Sequence, residues 1–314
     1  MKRREALQLV GTGIAAGIVG CSSRSDDGNS TATLTPEPTA CPEVPAYLEP
    51  VDFNGDQTVV CNHSDSSDQQ DPSLVANPQT TSLPDATVEF LLRNRREEAY
   101  TTNFYQWSLY KRVGGRWYSV VPRRISGNGV STLGPGKTHS WTFSIDNSSL
   151  SEPVEPVHSD GGKTTVRGLG GGTYAFLVPG SYEDVSCLLC SDKIVSYAVQ
   201  FEIDGPALDL VPPNTVSEVS RTGDTIEITV GNSGPTKKWI LTRTTETPAR
   251  QENHERVITE QLYGRPALRS ALAYLVDGVE RVVVRSGHNG FAPRRYVTFD
   301  GTRYRVKSRV LMDE

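Results

Sequence analysis

Val195-Ser-Tyr-Ala-Val-Gln-Phe-Glu-Ile203 puts Val195, Tyr197, Val199, Phe201 and Ile203 on one side of an extended chain and Ser196, Ala198, Gln200 and Glu202 on the other. A period of two is the pattern of a strand with one buried face. The alternation recurs upstream: Val88, Phe90 and Leu92 share a face, as do Tyr105, Trp107 and Leu109, then His139, Trp141, Phe143 and Ile145, then Tyr174, Phe176 and Val178. Gly114-Gly115 ahead of Trp117-Tyr-Ser-Val120 marks a two-residue hairpin, and Leu133-Gly-Pro-Gly136 marks a further turn. With 73–81 added, about seven strands result, enough for a two-sheet sandwich. The expected fold is mainly β, with a β-sandwich over residues 51–205.

Beyond Pro212-Pro213 the pattern changes. Residues 206–222 read as a linker and 223–314 as a small α+β domain. Strands are expected over 225–230, 238–242 and 281–285. Between the last two, Leu268, Ala271, Leu272 and Leu275 recur at helical spacing after Pro266, a residue suited to a first helical turn, and Gly278 is placed as a C-terminal cap. Asp300-Gly301 between 296–299 and 302–306 is a strong hairpin signal.

The chain opens with paired Arg3 and Arg4, an apolar run over 7–19, and Ile18-Val-Gly-Cys21. A basic start, a short apolar run and a small residue before a break make an export signal, and the arginine pair suggests export of an already folded protein. The run is shorter than the roughly 20 apolar residues that cross a bilayer. An apolar pair followed by Gly-Cys resembles the lipobox of exported lipoproteins, which implies removal of the signal peptide 1–20 and lipid attachment at Cys21. The expected location is the extracytoplasmic face of the cell membrane, held by that lipid anchor. Residues 21–50 mix Ser, Asp, Thr and Pro with few bulky apolar side chains and read as a disordered tether.

Loss of 1–20, with Lys2, Arg3, Arg4 and Glu5, leaves 29 basic and 36 acidic side chains. An acidic chain has no general attraction to nucleic acid, so no nucleic-acid partner is expected, and Arg93/Arg95/Arg96, Arg123/Arg124 and Arg294/Arg295 read as solvated strand ends. Four cysteines remain after Cys21. On the oxidising side of a membrane, Cys41, Cys61, Cys187 and Cys190 read as structural disulfides. Two arrangements are open: local bridges Cys41–Cys61 and Cys187–Cys190, which we favour, and a crossed arrangement pinning the tether's end to the sandwich. Cα separations within about 7 Å decide between them. Asn29, Asn62 and Asn147 head Asn-x-Ser/Thr triplets and are candidate glycosylation acceptors.

Other motifs weaken on inspection. Gly161-Gly-Lys-Thr164 imitates the end of a phosphate loop, but the first required glycine falls on Val157. Gly168-x-Gly170-x-Gly172 precedes a strand where a dinucleotide fingerprint opens a helix, and reads as a flexible turn. Asp52-x-Asn54-x-Asp56 has calcium-loop spacing, with Gln57 at the sixth position and His63 at the twelfth. Cys187-Leu-Leu-Cys190 has redox spacing, yet 194 onward reads as strand, not as the helix start that lowers a thiol pKa. No catalytic residue, metal ligand or cofactor is expected.

Asn103-Phe-Tyr-Gln-Trp-Ser-Leu-Tyr-Lys-Arg, Pro135-Gly-Lys-Thr-His-Ser-Trp-Thr-Phe and Gly170-Gly-Gly-Thr-Tyr-Ala-Phe look like immunoglobulin-like domains of uncharacterised haloarchaeal surface lipoproteins. The likeness covers 73–205 and implies a sandwich with Trp107 on a central strand and Tyr174 at a tyrosine corner. Residues 256–311 resemble a small haloarchaeal domain of unknown function. Neither resemblance implies an activity. The function expected is binding or structure at the cell surface, with an unknown protein or small-molecule partner; the alternatives are a thiol-redox protein using Cys187 and Cys190, or a protease inhibitor.

Overall fold

The computed structural model describes residues 41–42, 56–62, 73–84, 86–121, 129–152, 162–183, 185, 188, 191–231, 237–248, 254–287 and 295–311. The first part of the chain forms β1 (Asp56–Asn62), β2 (Ser73–Asn77), β3 (Thr80–Ser82), β4 (Thr87–Arg93), β5 (Tyr100–Thr102), β6 (Ser108–Val113), β7 (Arg116–Val121), β8 (Ser131–Leu133), β9 (Thr138–Ile145), β10 (Lys163–Val166), β11 (Gly172–Val178), β12 (Gly180–Ser181) and β13 (Lys193–Asp204). The second part forms β14 (Val216–Thr222), β15 (Thr225–Val230), β16 (Lys237–Arg243), β17 (His254–Val257), α1 (Thr259–Leu262), α2 (Pro266–Ala273), β18 (Arg281–Ser286), β19 (Tyr296–Phe299) and β20 (Thr302–Val310). The chain is mainly β, as the alternation predicts.

Two sheets make the sandwich. One runs β1-β13-β11-β6-β7, with β3 also on β13; the other runs β10-β9-β4-β2; a small sheet β12-β5-β8 lies beside them. Register decides which side chains meet. Phe90 lies opposite Trp141 and Val88 opposite Phe143, while Tyr174 lies opposite Phe201 and Phe176 opposite Val199. Each sheet therefore turns its bulkiest residues to the same side, and the two sides close on one core. Phe90 stacks on Phe176 with centroids 4.1 Å apart and meets Phe143 and Phe201 edge-on at 5.2 and 5.1 Å. Such pairs contribute about 0.5–1.5 kcal/mol each beyond area burial.

The larger sheet is covered on its other side as well. Tyr110, Ala175, Leu177 and Ala198 are buried there, with Cys41, Val59 and Trp117 packed on them. Burial on both faces explains why β11 departs from alternation and reads as the apolar run Tyr174–Val178. The Cys41–Cys61 disulfide, with Cα atoms 5.8 Å apart, ties Cys41, which packs on this face, to β1. This is the local bridge favoured from sequence. Cys187 and Cys190 lie outside the described residues.

Both glycines of the Gly114-Gly115 hairpin have positive φ, as do Asp300 and Gly301 between β19 and β20. These are the conformations a two-residue hairpin demands. Three details differ from the sequence reading. Tyr105 is not a strand residue: the Asn103 side chain accepts its N–H at 2.9 Å, and this local turn leaves Tyr105 exposed. Trp107 is buried against Phe143 but sits one residue before β6. Gly278 is not the helix cap, because α2 ends at Ala273 with Tyr274 as its cap and the next N–H, of Leu275, bonding the Leu272 carbonyl three residues back, and Gly278 takes positive φ in the turn leading to β18.

The second part is a seven-stranded sheet, β14-β15-β18-β16-β20-β19-β17. Ile226, Ile228, Trp239, Leu241, Val282 and Val284 line one face, against Ala267, Leu268, Ala271 and Leu272 of α2. Within 206–222, the strand β14 pairs with β15 across Gly223-Asp224. All the described residues belong to one compact unit spanning 40–314.

Breaking the covering bridge gives a direct measurement. A loop of this length is worth about 3 kcal/mol on the chain-entropy estimate. Cys61→Ser is expected to lower the stability measured by denaturant unfolding by about that amount; an unchanged midpoint would show that the bridge does not hold Cys41 in place.

Candidate functional site

Buried polar groups gather where the sandwich meets the second sheet. Its floor is Gly168-Leu-Gly-Gly-Gly172, the segment leading into β11. These glycines are required by close approach. A Cβ on Gly170 would lie 2.4 Å from the Leu208 backbone nitrogen, one on Gly171 2.2 Å from the Gly205 carbonyl oxygen, and one on Gly168 2.7 Å from the Tyr263 ring. A side chain at Gly168 or Gly170 would push Tyr263 or the connector at Leu208 off the sandwich, and one at Gly171 would push away the end of β13 at Gly205.

The α1 turn reaches across this floor. Glu260 Oε1 lies 2.5 Å from Lys111 Nζ of β6 and accepts the Gly170 N–H at 3.3 Å. Both side chains are buried, at 9% and 4% exposure. The Lys111 ammonium also lies over the Tyr174 ring, 5.5 Å from its centroid. Gln261 donates to the Ser119 carbonyl of β7 at 3.0 Å and accepts the Ile258 N–H at 3.2 Å. The tyrosine-corner geometry is present: the Tyr174 hydroxyl donates to the Gly170 carbonyl, four residues upstream, at 2.7 Å. Burial, reinforced by the Glu260 charge, holds the Tyr174 phenol well above its ordinary pKa, so it stays a donor.

The other end of the junction is held by Arg269, which is 1% exposed. Its Nε donates to the Val211 carbonyl at 2.6 Å, its Nη2 donates to the Leu150 carbonyl, and its guanidinium lies 4.0 Å from the centroid of Tyr263. The Tyr263 hydroxyl donates to the Asp209 carbonyl at 2.7 Å. One helix residue and its aromatic neighbour thus bind the connector 206–213 and the turn after β9. Burial lowers the Arg269 pKa and raises that of Tyr263.

Asn147, a candidate glycosylation acceptor, also serves this floor. Its Nδ2 donates to the Leu169 carbonyl at 2.7 Å and its Oδ1 accepts the Gly168 N–H at 2.9 Å. Asn62 ends β1. Arg3, Arg4, Cys21 and Asn29 lie outside the described residues, as do Cys187 and Cys190. Of the residues flanking that last pair, Ser191 Oγ donates to Glu183 Oε2 at 2.5 Å and lies 2.8 Å from Ser181 Oγ. Of the other motifs, Lys163-Thr164 belongs to β10 and Asp56-Gln57 to β1, each extended and paired in a sheet; Asp52, Asn54, His63, Val157 and Gly161 lie outside the described residues.

Sequence reading did not find Lys111, Glu260, Tyr263 or Arg269. The available signals were slight: a glycine cluster without a matching motif, and a charged residue on the apolar side of α2. The chain matches no described protein family and no curated protein sequence.

Chemically, the junction pairs one buried acid with one buried base, while Asn147, Gln261, Tyr263 and Arg269 bond backbone groups. Removing one member of a buried pair costs about 3–5 kcal/mol, because it strands the other charge. Glu260→Ala is expected to destabilise by that amount, and Lys111→Met with Glu260→Leu to recover most of it. A double-mutant cycle in denaturant checks this; additive losses would mean the two residues do not act as a pair.

Proposed function

We propose that this chain is a lipid-anchored, extracytoplasmic, non-enzymatic protein with a binding or structural role, consistent with its resemblance to haloarchaeal surface lipoproteins. The observation that supports the reading is how the buried polar groups are used. Glu260, Lys111, Arg269 and Tyr263 are engaged with one another or with backbone groups from both parts of the chain. Such an arrangement fixes two layers as one rigid body. It does not hold an acid or base ready for a substrate. A rigid body on a polar tether suits display at a surface, where affinity comes from exposed faces. The local Cys41–Cys61 bridge fits an oxidising compartment.

The anchor is the testable core of this reading. After a high-salt wash, which strips proteins held by charge, the native chain is expected to remain with membranes while Cys21→Ser is released or accumulates as precursor. Mature-sized Cys21→Ser protein on salt-washed membranes would overturn lipid attachment at Cys21.

A further inference from the structure

The seven-stranded sheet has a second face, turned away from α2, and its register gives that face an unusual composition. Lys238 lies opposite Arg309 and Arg285, Ile240 opposite Lys307 and Val283, and Thr242 opposite Arg305 and Arg281. Arg305 pairs with Tyr296, and Arg303 with Thr298; His254 and Arg256 extend the same rows onto β17. Eight cationic residues therefore share one face: Arg256, Arg281, Arg285, Arg303, Arg305, Lys307, Arg309 and Lys238. The neighbouring carboxylates are Glu218, Glu227 and Glu246. Glu227 pairs with Arg285 and Lys238, and Glu246 with Arg305 at 3.4 Å.

Arg256, Arg281, Lys307 and Arg309 are exposed, and none has a carboxylate within 4.0 Å among the described residues. The field is felt by His254, whose pKa is lowered by burial and then by Arg303 and Arg256. The concentration is notable in a chain whose formal net charge is −5. Adjacent strands lie about 4.8 Å apart and same-face residues about 7 Å apart along a strand, so the cations form a broad two-dimensional array.

We propose that this face docks on an anionic phospholipid membrane surface. The inference rests on the lipid-anchor reading, which places the body beside a membrane. Nineteen residues lie between Cys21 and Cys41, a length that spans at most about 70 Å; a folded body of this size has a radius of gyration of about 18 Å, so the sheet face is within reach. A single lipid chain binds a membrane only marginally, and a cationic patch is one of the second signals that make attachment stable. A broad array of cations, four of them with no carboxylate within 4.0 Å among the described residues, complements the phosphates of a membrane surface, whereas a nucleic-acid strand would engage a narrow track.

The test uses the full chain carrying Cys21→Ser, so that no lipid contributes, in cosedimentation with phosphatidylcholine–phosphatidylglycerol vesicles and with pure phosphatidylcholine vesicles. Each cation near an anionic surface contributes about 1 kcal/mol. The combined Arg281→Gln, Lys307→Gln and Arg309→Gln variant is thus expected to lose about a hundredfold in affinity for the anionic vesicles. A matched variant, Arg93→Gln, Arg95→Gln and Arg116→Gln, removes the same charge from exposed sandwich positions and is expected to keep its affinity. Binding should fall steeply with salt. Any contribution of the apolar run 7–19 is common to all three proteins. Equal losses in both variants, or no preference for anionic vesicles, would overturn the proposal. So would binding of a DNA duplex through these residues without vesicle binding. None of these outcomes bears on Cys21, and the salt-washed fractionation does not bear on the sheet face.

Discussion

Neither Lys111 nor Glu260 could be buried alone. Taking each charge out of water costs several kcal/mol, and the cost is offset only when the other is in place with its hydrogen bonds made. Lys111 sits on β6 of the sandwich and Glu260 on the α1 turn of the second part, 149 residues away. Between them runs the glycine floor, whose Gly170 N–H gives the carboxylate a further donor. The pair therefore forms only when the sandwich, the floor and α1 are all assembled. Around it, Arg269, Tyr263 and Gln261 satisfy backbone carbonyls that would otherwise be left bare in the seam. The two parts consequently depend on one another, although each has its own apolar core.

Elements that depend on neighbours in sequence were legible from the chain alone. The period of two in 195–203 places a strand because every second side chain must leave water together. Gly114-Gly115 and Asp300-Gly301 announce their hairpins because few other residues take positive φ readily, and Pro266 opens α2 as its missing N–H allows. Errors arose where a local hydrogen bond overrode the pattern. The Asn103 turn removes Tyr105 from its expected strand, and α2 tightens at its end, where the Leu275 N–H bonds the Leu272 carbonyl three residues back, well before Gly278.

The junction was hidden for a different reason. Nothing in Gly168-x-Gly170-x-Gly172 says that its glycines are needed for close contact, because the atoms they would strike, on Gly205, Leu208 and Tyr263, come from distant sequence. A lysine in a strand and a glutamate in a four-residue helix carry no sign of burial. The basic face was invisible for a similar reason. Its cations are scattered over β16, β17, β18 and β20, and register alone brings them together, so net charge conceals them. The Cys41–Cys61 bridge stands between these cases: counting cysteines raised it, and geometry selected it.

The central claim is that one buried pair and its glycine floor make two cored layers unfold as one. Scanning calorimetry of the full chain tests this directly. The expected result is a single transition whose calorimetric and van't Hoff enthalpies agree, with a ratio of about one, moved as a whole to lower temperature by Glu260→Ala. Two separate transitions, one of them untouched by that substitution, would contradict the account.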